Sequence, residues 1–402
     1  MKEIRAIKLI GDSDYFLLFM FRKNLLLSHI DWFLLLALAP ISGAGLVAMN
    51  SFTGANLFFE KQIIWLSVSV IIFFIASFID WRFLRRTDVL VSLFVMTVIL
   101  LVSVKFLGIR VNGSESWFRF GGVSFQPSDF AKLVLIVILA KYFSRRHIEI
   151  ANFRHILVSG FYAFVLFILI FLHPDLGSAM ILFFIWLGMV LVSGISKKHL
   201  LVVFLSGLII FSALWVFVFA DYQKQRIITF VNPLTDVRGA GYNAFQSVIA
   251  IGSGGIFGKG VGYGTQSRLN FLPEYQTDFI FAAFAEEWGF VGATIILLLY
   301  LFIIWRIIRV ALLGATNFEV LFGFGVAIYF LCHITINIGM NIGLLPVTGI
   351  TLPFISYGGS HLVVEFLALG ILMGMRRYAR PIQKELGKNE VVGVTDNLGE
   401  YN

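Results

Sequence analysis

Residues 232–289 read NPLTDVRGAGYNAFQSVIAIGSGGIFGKGVGYGTQSRLNFLPEYQTDFIFAAFAEEWG and form the only long hydrophilic passage between the first and last hydrophobic runs of the chain. The passage is rich in Gly, carries charges of both signs and has Asp278 at the mouth of an apolar run. An ionisable side chain at the edge of a membrane is costly to place, so it needs a structural or a chemical explanation. We therefore expect the chemistry of this protein in this passage, and expect the rest of the chain to hold it in position.

The composition indicates an all-α integral membrane protein. Of the 402 residues, 59% are hydrophobic and only 13% are charged, and the mean hydropathy is +0.90. A soluble protein of this length would need more polar surface. Loops that face the cytoplasm and anionic lipid explain the net charge of +8 better than nucleic acid does. Cys332 is the only cysteine, which excludes a disulfide within the chain.

Apolar runs of roughly 20 residues predict about ten membrane-spanning helices. They lie near residues 31–50, 60–79, 88–107, 128–143, 156–173, 177–193, 200–220, 279–304, 319–340 and 359–375. This division leaves a cytoplasmic N-terminal segment at 1–30, a polytopic membrane domain at 31–380 and a disordered cytoplasmic tail at 381–402. A long extracytoplasmic loop at 221–277 then separates the seventh helix from the eighth.

The distribution of basic residues predicts the orientation of these helices. With the N-terminus in the cytoplasm, the inner segments, both termini included, hold more than twice as many of the 31 Lys and Arg residues as the outer segments, as the positive-inside rule requires. Both termini are then cytoplasmic. The inner loops are short and contain no Gly-Lys-Ser/Thr phosphate-binding pattern, which argues against an ATP-driven pump.

Asp278 is the first candidate for a catalytic residue. Pro273 ends the loop before it, and Thr277 can cap a helix that starts there. Glu274 lies four residues before Asp278, so the two side chains share a helix face if the helix starts early. One interpretation makes Asp278 a first-turn carboxylate, stabilised by the free N–H groups of the helix. The other makes it a general base at the outer surface, with enough burial to raise its pKa.

Asp129 and Lys132 are the second candidates. Both lie in the sequence QPSDFAK at the start of the fourth predicted span, where a spacing of three residues places them on one helix face. One interpretation is an intrahelical ion pair at the membrane edge. The other is that both line a polar cavity below the long loop, where Lys132 is a suitable partner for a phosphate or for Asp278.

The long loop also carries a set of cations. Outer loops are otherwise poor in basic residues, so this set predicts an anionic partner such as a pyrophosphate. Phe245, Val248 and Ile249 recur at helical spacing and predict an amphipathic helix on the outer leaflet, and the Gly-rich run behind them allows a hinge or a close approach to a ligand. The cations are Lys224, Arg226, Arg238, Lys259 and Arg268.

The remaining polar residues of the spans are expected to make packing contacts between helices. They are scattered along the chain and show no spacing typical of metal ligands. At least one of Glu286 and Glu287 is expected to pair with another helix. The other polar residues in this group are His333, Asn337, Asn341, His361 and Glu365.

Five segments are distributed between the second outer loop and the last predicted helix. They are VSFQPSDFAKL (123–133), HPDLGSAM (173–180), NPLTDVRGAGYNAFQSVIAIGSGG (232–255), LPEYQTDFIFAAFAEEWG (272–289) and NIGLLPVTGITLPFISYGGS (341–360). With these residues the chain resembles the SEDS family (shape, elongation, division and sporulation), the membrane glycosyltransferases that polymerise peptidoglycan. The sequence GKGVGYGTQSRLNFLPE (258–274) is more similar to the elongation branch of that family than to the division branch.

The resemblance implies ten spans in the bacterial inner membrane and lipid II, an undecaprenyl-pyrophosphate-linked disaccharide pentapeptide, as the substrate. It implies that Asp278 is the essential carboxylate of the family and that Asp129 and Lys132 belong to its QPSE-x-x-K motif. It also implies a class B penicillin-binding protein, a transpeptidase of the elongation machinery, as the partner. No organic cofactor is expected, whereas a divalent cation such as Mg²⁺ or Mn²⁺ would help to neutralise the pyrophosphate.

The chain departs from the family pattern at four positions. Asp129 stands where Glu is usual and is one methylene shorter, and Ser116 precedes Trp117 where Arg is common. His173 replaces the usual Gln, and His361 follows YGGS where a small residue is usual. None of these departures removes the acid or the lysine.

The sequence therefore supports the hypothesis of an inverting glycosyl transfer at the outer membrane face, with Asp278 as the base. Because a pyrophosphate is already a good leaving group, one base with cationic stabilisation suffices. Two rival hypotheses are a flippase for the lipid-linked precursor and a non-catalytic scaffold for the transpeptidase. The predicted substrate-binding residues are Asp129, Lys132, Arg226, Arg238, Lys259, Arg268 and Glu274.

Overall fold

A computed structural model describes residues 27–51, 57–111, 114–120, 123–145, 153–217, 219–232, 239–269 and 271–396. Its α-helices are α1 (Trp32–Ser51), α2 (Leu57–Phe78), α3 (Thr87–Leu107), α4 (Pro127–Ser144), α5 (Phe153–Phe171), α6 (Leu176–Val192), α7 (Lys197–Phe217), α8 (Asp221–Val231), α9 (Ala240–Ser253), α10 (Thr265–Arg268), α11 (Ile280–Leu312), α12 (Asn317–Asn341) and α13 (Gly359–Asp396). Three short strands are β1 (Ile109–Val111), β2 (Ser114–Phe120) and β3 (Val123–Phe125), and a 3₁₀ helix spans Trp81–Arg85. The predicted class, an all-α multi-pass membrane protein, is confirmed.

Within the described residues, seven helices are long and apolar enough to cross a membrane. These are α1, α2, α3, α7, α11, α12 and the part of α5 at Arg154–Phe171. The three other predicted spans coincide with α4, α6 and α13. Helix α6 has only 17 residues, and α4 carries Asp129, Lys132 and Lys141. The total of ten spans stays a prediction.

Helix α4 lies at the centre of the bundle. Every residue from 131 to 140 is buried, and a helix that is apolar all round is stable only where other helices surround it. The outer helices instead present large apolar side chains, such as Phe204 with 68% and Leu301 with 61% of their surface exposed. Such a surface is suited to lipid contact, because lipid chains do not exclude apolar groups as water does.

The two ends of the bundle differ. Helices α4, α6, α11 and α13 begin, and α1 and α12 end, at one end of the bundle, which we call the loop end. The sheet and residues 219–232, 239–269 and 271–279 also lie there. At the opposite end, Asp31 before α1 accepts hydrogen bonds from Arg306 at 2.7 Å and from Arg376 of α13 at 3.5 Å. The first and last helices therefore meet at the opposite end, away from the site described below.

Between the third and fourth predicted spans lies a small antiparallel sheet with the order β1-β2-β3. Ile109 pairs with Trp117, and Phe118 pairs with Phe125. Aromatic and β-branched residues favour strands, which explains why this outer segment is more regular than predicted. Its Ser116 hydroxyl donates to the His173 carbonyl at 3.2 Å and joins the sheet to the turn before α6.

The C-terminal segment also differs from the prediction. Helix α13 continues from the membrane domain through residues 381–396, where the sequence predicted disorder. Gln, Lys and Glu in this segment have high helix propensity. Residues 397–402 and most of the predicted N-terminal segment lie outside the described residues.

Helix α11 is broken at Gly289, and a glycine-rich segment fills the break. Gly289 has φ 65° and ψ −166°, so the normal helical hydrogen bonds across it are lost. Residues 254–264, the glycine loop, supply substitutes: Lys259 N–H donates to Glu286 O at 3.0 Å, and Phe290 N–H donates to Gly255 O at 2.9 Å. Such compensation is required because lipid offers no partners to exposed backbone groups.

Two buried glutamates fasten this loop. The Glu286 carboxylate, which is fully buried, accepts from Lys259 Nζ at 2.7 Å, from Thr265 N–H at 2.8 Å and from Gln266 N–H at 3.1 Å. The Glu287 carboxylate accepts from Ser51 Oγ at 2.6 Å and from Gly262 N–H at 3.0 Å. Both residues therefore make the structural pairing that the sequence predicted for at least one of them.

We predict that Gly289→Ala destabilises the protein by at least about 3 kcal/mol, because it adds strain at a positive φ and a steric clash. A Cβ at position 289 would lie 2.2 Å from the Gly258 nitrogen. The matched control is Gly252→Ala in α9, where nothing lies within 4 Å of a built Cβ. Thermal unfolding of both variants in detergent measures the effect, and equal melting temperatures would contradict the proposed fit between loop and helix break.

Candidate active site at the loop end

Asp278 lies in a tight turn immediately before α11, and its main chain is fixed by two amides. The side-chain nitrogens of Asn337 and Asn341 donate to the Asp278 carbonyl oxygen at 2.9 and 3.0 Å. Asn341 Oδ1 also accepts from the Ala282 N–H at 3.2 Å. Because Asn337 and Asn341 are one helical turn apart on α12, the two amides present one rigid face to the turn.

The prediction that Asp278 or Thr277 caps α11 is wrong. The helix begins at Ile280, its N-cap residue is Phe279, and no side chain caps it. The Thr277 hydroxyl instead donates to the Glu274 carboxylate at 3.0 Å. Glu274 itself has a positive φ of 49°, so residues 274–279 form a turn, and Glu274 and Asp278 do not share a helix face.

A second support for this turn is the non-helical segment between α12 and α13, residues 345–358, which we call the support segment. The Ser356 hydroxyl donates to the Thr277 carbonyl at 2.7 Å, and the Tyr357 N–H donates to the Gln276 carbonyl at 2.8 Å. Gln62 of α2 donates in turn to the Ser356 carbonyl at 3.1 Å. The carbonyl oxygens of the three consecutive residues 276, 277 and 278 therefore each accept a hydrogen bond from another segment.

The carboxylate of Asp278 is half-buried, and no described residue donates a hydrogen bond to it. The pKa of Asp278 is raised from 3.8 to about 7, chiefly by burial; the charges of Glu274 and Asp175 also raise it, and the charge of Arg226 lowers it. A group with this pKa can accept a proton near neutral pH and keeps enough solvent access to meet a substrate. The arrangement fits the second sequence interpretation, a base, and not the first.

The predicted cations occupy different surroundings. Arg226 of α8 is the described cation whose charge acts on Asp278. Lys259 is 28% exposed and pairs with Glu286, and Arg268 donates to the Gly262 carbonyl at 2.9 Å. Arg238 lies outside the described residues. The substrate-binding roles of these residues stay predictions.

The predicted pair of Asp129 and Lys132 is present, but it is deeply buried. Lys132 Nζ lies 2.9 Å from Asp129 Oδ1, and the two side chains are 2% and 5% exposed. The first alternative, an intrahelical ion pair, is therefore observed, although in the bundle interior and not at the membrane edge. Asp175 connects the start of α4 to α6, because it accepts from Gln126 Nε2 and from the Ser178 N–H, each at 3.0 Å.

The predicted amphipathic helix is α9. Phe245 is 59% and Val248 is 44% exposed, whereas Ser247 is buried and donates to the Asn341 carbonyl at 2.8 Å. Between α8, α9 and the start of the support segment lies a cavity of about 230 Å³, lined by apolar side chains and by Arg226. The cavity thus reaches from the cation that acts on Asp278 to the exposed apolar face of α9.

Sequence reasoning missed the residues that position the site. Asn337, Asn341, Ser356 and Gln62 had no assigned role beyond packing, because each acts on backbone groups that are distant in sequence. The spacing of the two asparagines, one helical turn apart, was the available signal.

The comparisons with known proteins place this geometry in a family. Residues 23–381 match the sequence model of the FtsW/RodA/SpoVE family, described as "Cell cycle protein". The chain is 37% identical over 340 residues to stage V sporulation protein E of Bacillus subtilis strain 168, covering 84% of this chain and 92% of that protein. It is also 37% identical over 294 residues to peptidoglycan glycosyltransferase MrdB of Escherichia coli strain K12, covering 73% of this chain and 79% of that protein.

Solved structures share the fold. A chain from the structure described as "Structural coordination of polymerization and crosslinking by a peptidoglycan synthase complex" superposes with a TM-score of 0.75 at 30% identity, over 87% of this chain and 98% of that chain. The crystal structure of the rod shape determining protein RodA of Thermus thermophilus superposes with a TM-score of 0.65 at 30% identity, over 86% of this chain and 96% of that chain.

We predict that Asp278→Asn raises the melting temperature at pH 8 and that this gain shrinks at pH 5. The pKa of Asp278 is raised in the fold from 3.8 to about 7, so its contribution to stability is fully present below pH 4 and is lost as the pH rises to 7. The loss is at most about 4 kcal/mol, lessened by partial exposure. The matched control is Asp221→Asn, at an exposed position, which should behave as wild type; a gain independent of pH would refute the shifted pKa.

Proposed function

Because the chain belongs to the FtsW/RodA/SpoVE family, we propose that it is a peptidoglycan glycosyltransferase that polymerises lipid II during cell elongation. The observation that carries the proposal is the Asp278 carboxylate, which is half-buried with a pKa of about 7 in a turn held by two amides. Relatives named peptidoglycan glycosyltransferase support the reaction class, and the similarity of residues 258–274 to the elongation branch supports the process.

In the proposed reaction Asp278 removes the proton from the 4-hydroxyl of the acceptor sugar. That oxygen attacks the anomeric carbon of the growing chain from the face opposite the pyrophosphate and forms the new C–O bond. The bond from the anomeric carbon to the pyrophosphate oxygen breaks, and undecaprenyl pyrophosphate leaves with the electron pair. The product is inverted at the anomeric carbon, and the proton resides on Asp278.

The leaving group already carries negative charge, so it needs cations rather than a proton. Arg226 is the proposed nearest cation, because its charge acts on Asp278. Arg238, Lys259 and Arg268 are proposed to attract the anionic headgroup at longer range. Within the described chain no group of three or more His, Cys, Asp and Glu side chains is arranged to hold a metal ion. We propose that a Mg²⁺ or Mn²⁺ ion enters with the pyrophosphate of the substrate, and no step of the reaction depends on it.

We propose the bacterial inner membrane as the location, with the loop end outside and both termini in the cytoplasm. The meeting of Asp31 and Arg376 at the opposite end supports an even number of crossings. The proposed partner is a class B penicillin-binding protein, because a structural neighbour belongs to a complex that couples polymerization to crosslinking.

We predict that Asp278→Asn abolishes glycan synthesis, by at least about 100-fold, while lipid II binding is kept. The assay combines the purified protein with its transpeptidase partner, lipid II and a divalent cation, and separates the products on a gel. A ladder in the mutant would exclude Asp278 as the base. A folded wild-type complex that binds lipid II without making a ladder would favour the flippase or the scaffold.

We predict that Arg226→Gln raises KM for lipid II about tenfold, through the loss of a charge-assisted contact. It should also move the acid limb of the pH–rate profile to higher pH, because Arg226 lowers the pKa of Asp278. Lys224→Gln on the same helix is the matched control, since it removes the same charge and Lys224 is not among the groups to which the Asp278 pKa shift is attributed. An unchanged acid limb in Arg226→Gln would contradict Asp278 as the titrating base.

A further inference from the structure

A buried group of polar side chains lies in the bundle interior behind the support segment. It comprises Asp129 and Lys132 of α4, Tyr329 and His333 of α12, and His361 and Glu365 of α13. Each residue is at most 3% exposed. The charges of Asp129 and Lys132 act on both His361 and Glu365, and the Tyr329 and His333 rings are 4.7 Å apart, which places the group in one region.

The side chains of Glu365, His333 and His361 each direct one polar atom to the support segment. Glu365 Oε2 accepts from the Phe354 N–H at 3.0 Å, and His333 Nδ1 contacts the Thr351 carbonyl at 3.2 Å. A Cβ built on Gly358 would lie 2.6 Å from His361 Nδ1, so this edge of the His361 ring also faces the segment. Residue Phe354 has a positive φ of 63°, a conformation that such contacts must enforce.

The second polar atom of each of these side chains has no protein partner among the described residues. The same is true of one Asp129 oxygen and of the Tyr329 hydroxyl. The complete set is Asp129 Oδ2, Tyr329 OH, His333 Nε2, His361 Nε2 and Glu365 Oε1. Lys132 adds donors, because an ammonium has three N–H groups and Asp129 Oδ1 takes one at 2.9 Å.

Donors and acceptors are thus both present and buried, and these five atoms make no hydrogen bond with one another. Leaving that many polar atoms unsatisfied in the interior of a membrane protein is costly, and internal water makes about three such bonds per molecule. A metal ion is a poorer occupant, because no group of three or more His, Cys, Asp and Glu side chains in the described chain is arranged to hold one and because Lys132 already supplies a cation.

We propose that these side chains enclose a cluster of internal water molecules, and that the hydrated cluster positions the support segment and, through it, the turn of Asp278. Glu365, His333 and His361 are positioning residues in this proposal, and Asp129 with Lys132 forms its charged wall. The connection to the turn runs through Ser356, which donates to the Thr277 carbonyl at 2.7 Å. The catalytic part of the proposal rests on the proposed function of Asp278, whereas the water site does not.

X-ray radiolytic footprinting of the full-length protein tests the water site directly, because bound internal water is converted to hydroxyl radicals in place. The chain offers a matched pair of buried tyrosines: Tyr329 is 2% and Tyr300 is 1% exposed. The Tyr300 hydroxyl donates to the Pro353 carbonyl, whereas the Tyr329 hydroxyl faces the cluster. We expect Tyr329 to be oxidised several-fold faster than Tyr300, and equal slow rates would overturn the proposal.

Steady-state kinetics tests the positioning role. Glu365→Leu removes both the bond to Phe354 and the contact with water, so kcat should fall several-fold while KM for lipid II stays unchanged. Glu365→Gln retains an acceptor for Phe354 and a polar group for water, so it should restore most of kcat. A Glu365→Leu variant with wild-type kcat would overturn the positioning role.

Glu319→Gln is the control for general loss of stability, because Glu319 is an equally buried carboxylate at the opposite end of the bundle, where it pairs with Arg85. It should lower the melting temperature without lowering kcat. A parallel loss of kcat in Glu319→Gln would assign the effect to stability and overturn positioning. If Glu365→Leu does not fold, the comparison of Tyr329 with Tyr300 in the wild type still decides the water site. If no polymer forms at all, the footprinting result still stands, and only the proposed function fails.

Discussion

Main-chain hydrogen bonding without water is the constraint on which the site depends. The helix that follows Asp278 is broken at Gly289, and the turn before it is irregular, so both expose backbone groups at the edge of the membrane. Lipid cannot satisfy such groups. The glycine loop bonds to the main chain on both sides of the break, and Asn337 and Asn341 bond to the Asp278 carbonyl. Asp278 can therefore lie in a rigid, non-helical turn, because protein groups and not solvent satisfy its main-chain carbonyl.

The same constraint separates the acidic residues into two classes. Glu286 is fully buried and accepts from Lys259, Thr265 and Gln266, so its oxygens are saturated by donors of the loop. Asp278 has its carbonyl saturated, while no described residue donates to its carboxylate. The carboxylate of Asp278 is therefore left available to a substrate, whereas the Glu286 carboxylate holds the glycine loop against α11.

Local patterns in the sequence predicted the all-α membrane class and singled out Asp278 as a candidate, because hydropathy and the change from polar loop to apolar run are local properties. Interactions between distant segments were not accessible in the same way. The hydrogen bond from Lys259 to Glu286, 27 positions away, was not predicted, and the role of Lys259 toward an anionic ligand stays a prediction. The predicted cap at Thr277 failed for the same reason, because Ser356, 79 positions away, takes the Thr277 carbonyl and draws the chain into a turn. The pairing of Asp129 with Lys132 was one of two alternatives that their local spacing allowed, and its depth in the bundle depends on all the helices that surround α4.

The charges around Asp278 have a consequence for the order of events in the proposed reaction. Glu274 and Asp175 raise the pKa of Asp278, and Arg226 lowers it. A pyrophosphate that binds beside Arg226 adds negative charge to this field and offsets the effect of Arg226 on Asp278. In the proposed reaction the carboxylate therefore becomes more basic when the donor substrate is in place. When the proposed leaving group departs, the pKa of Asp278 falls again, and the proton taken from the acceptor is released to water. We infer that substrate binding and proton transfer are coupled in this way by electrostatics.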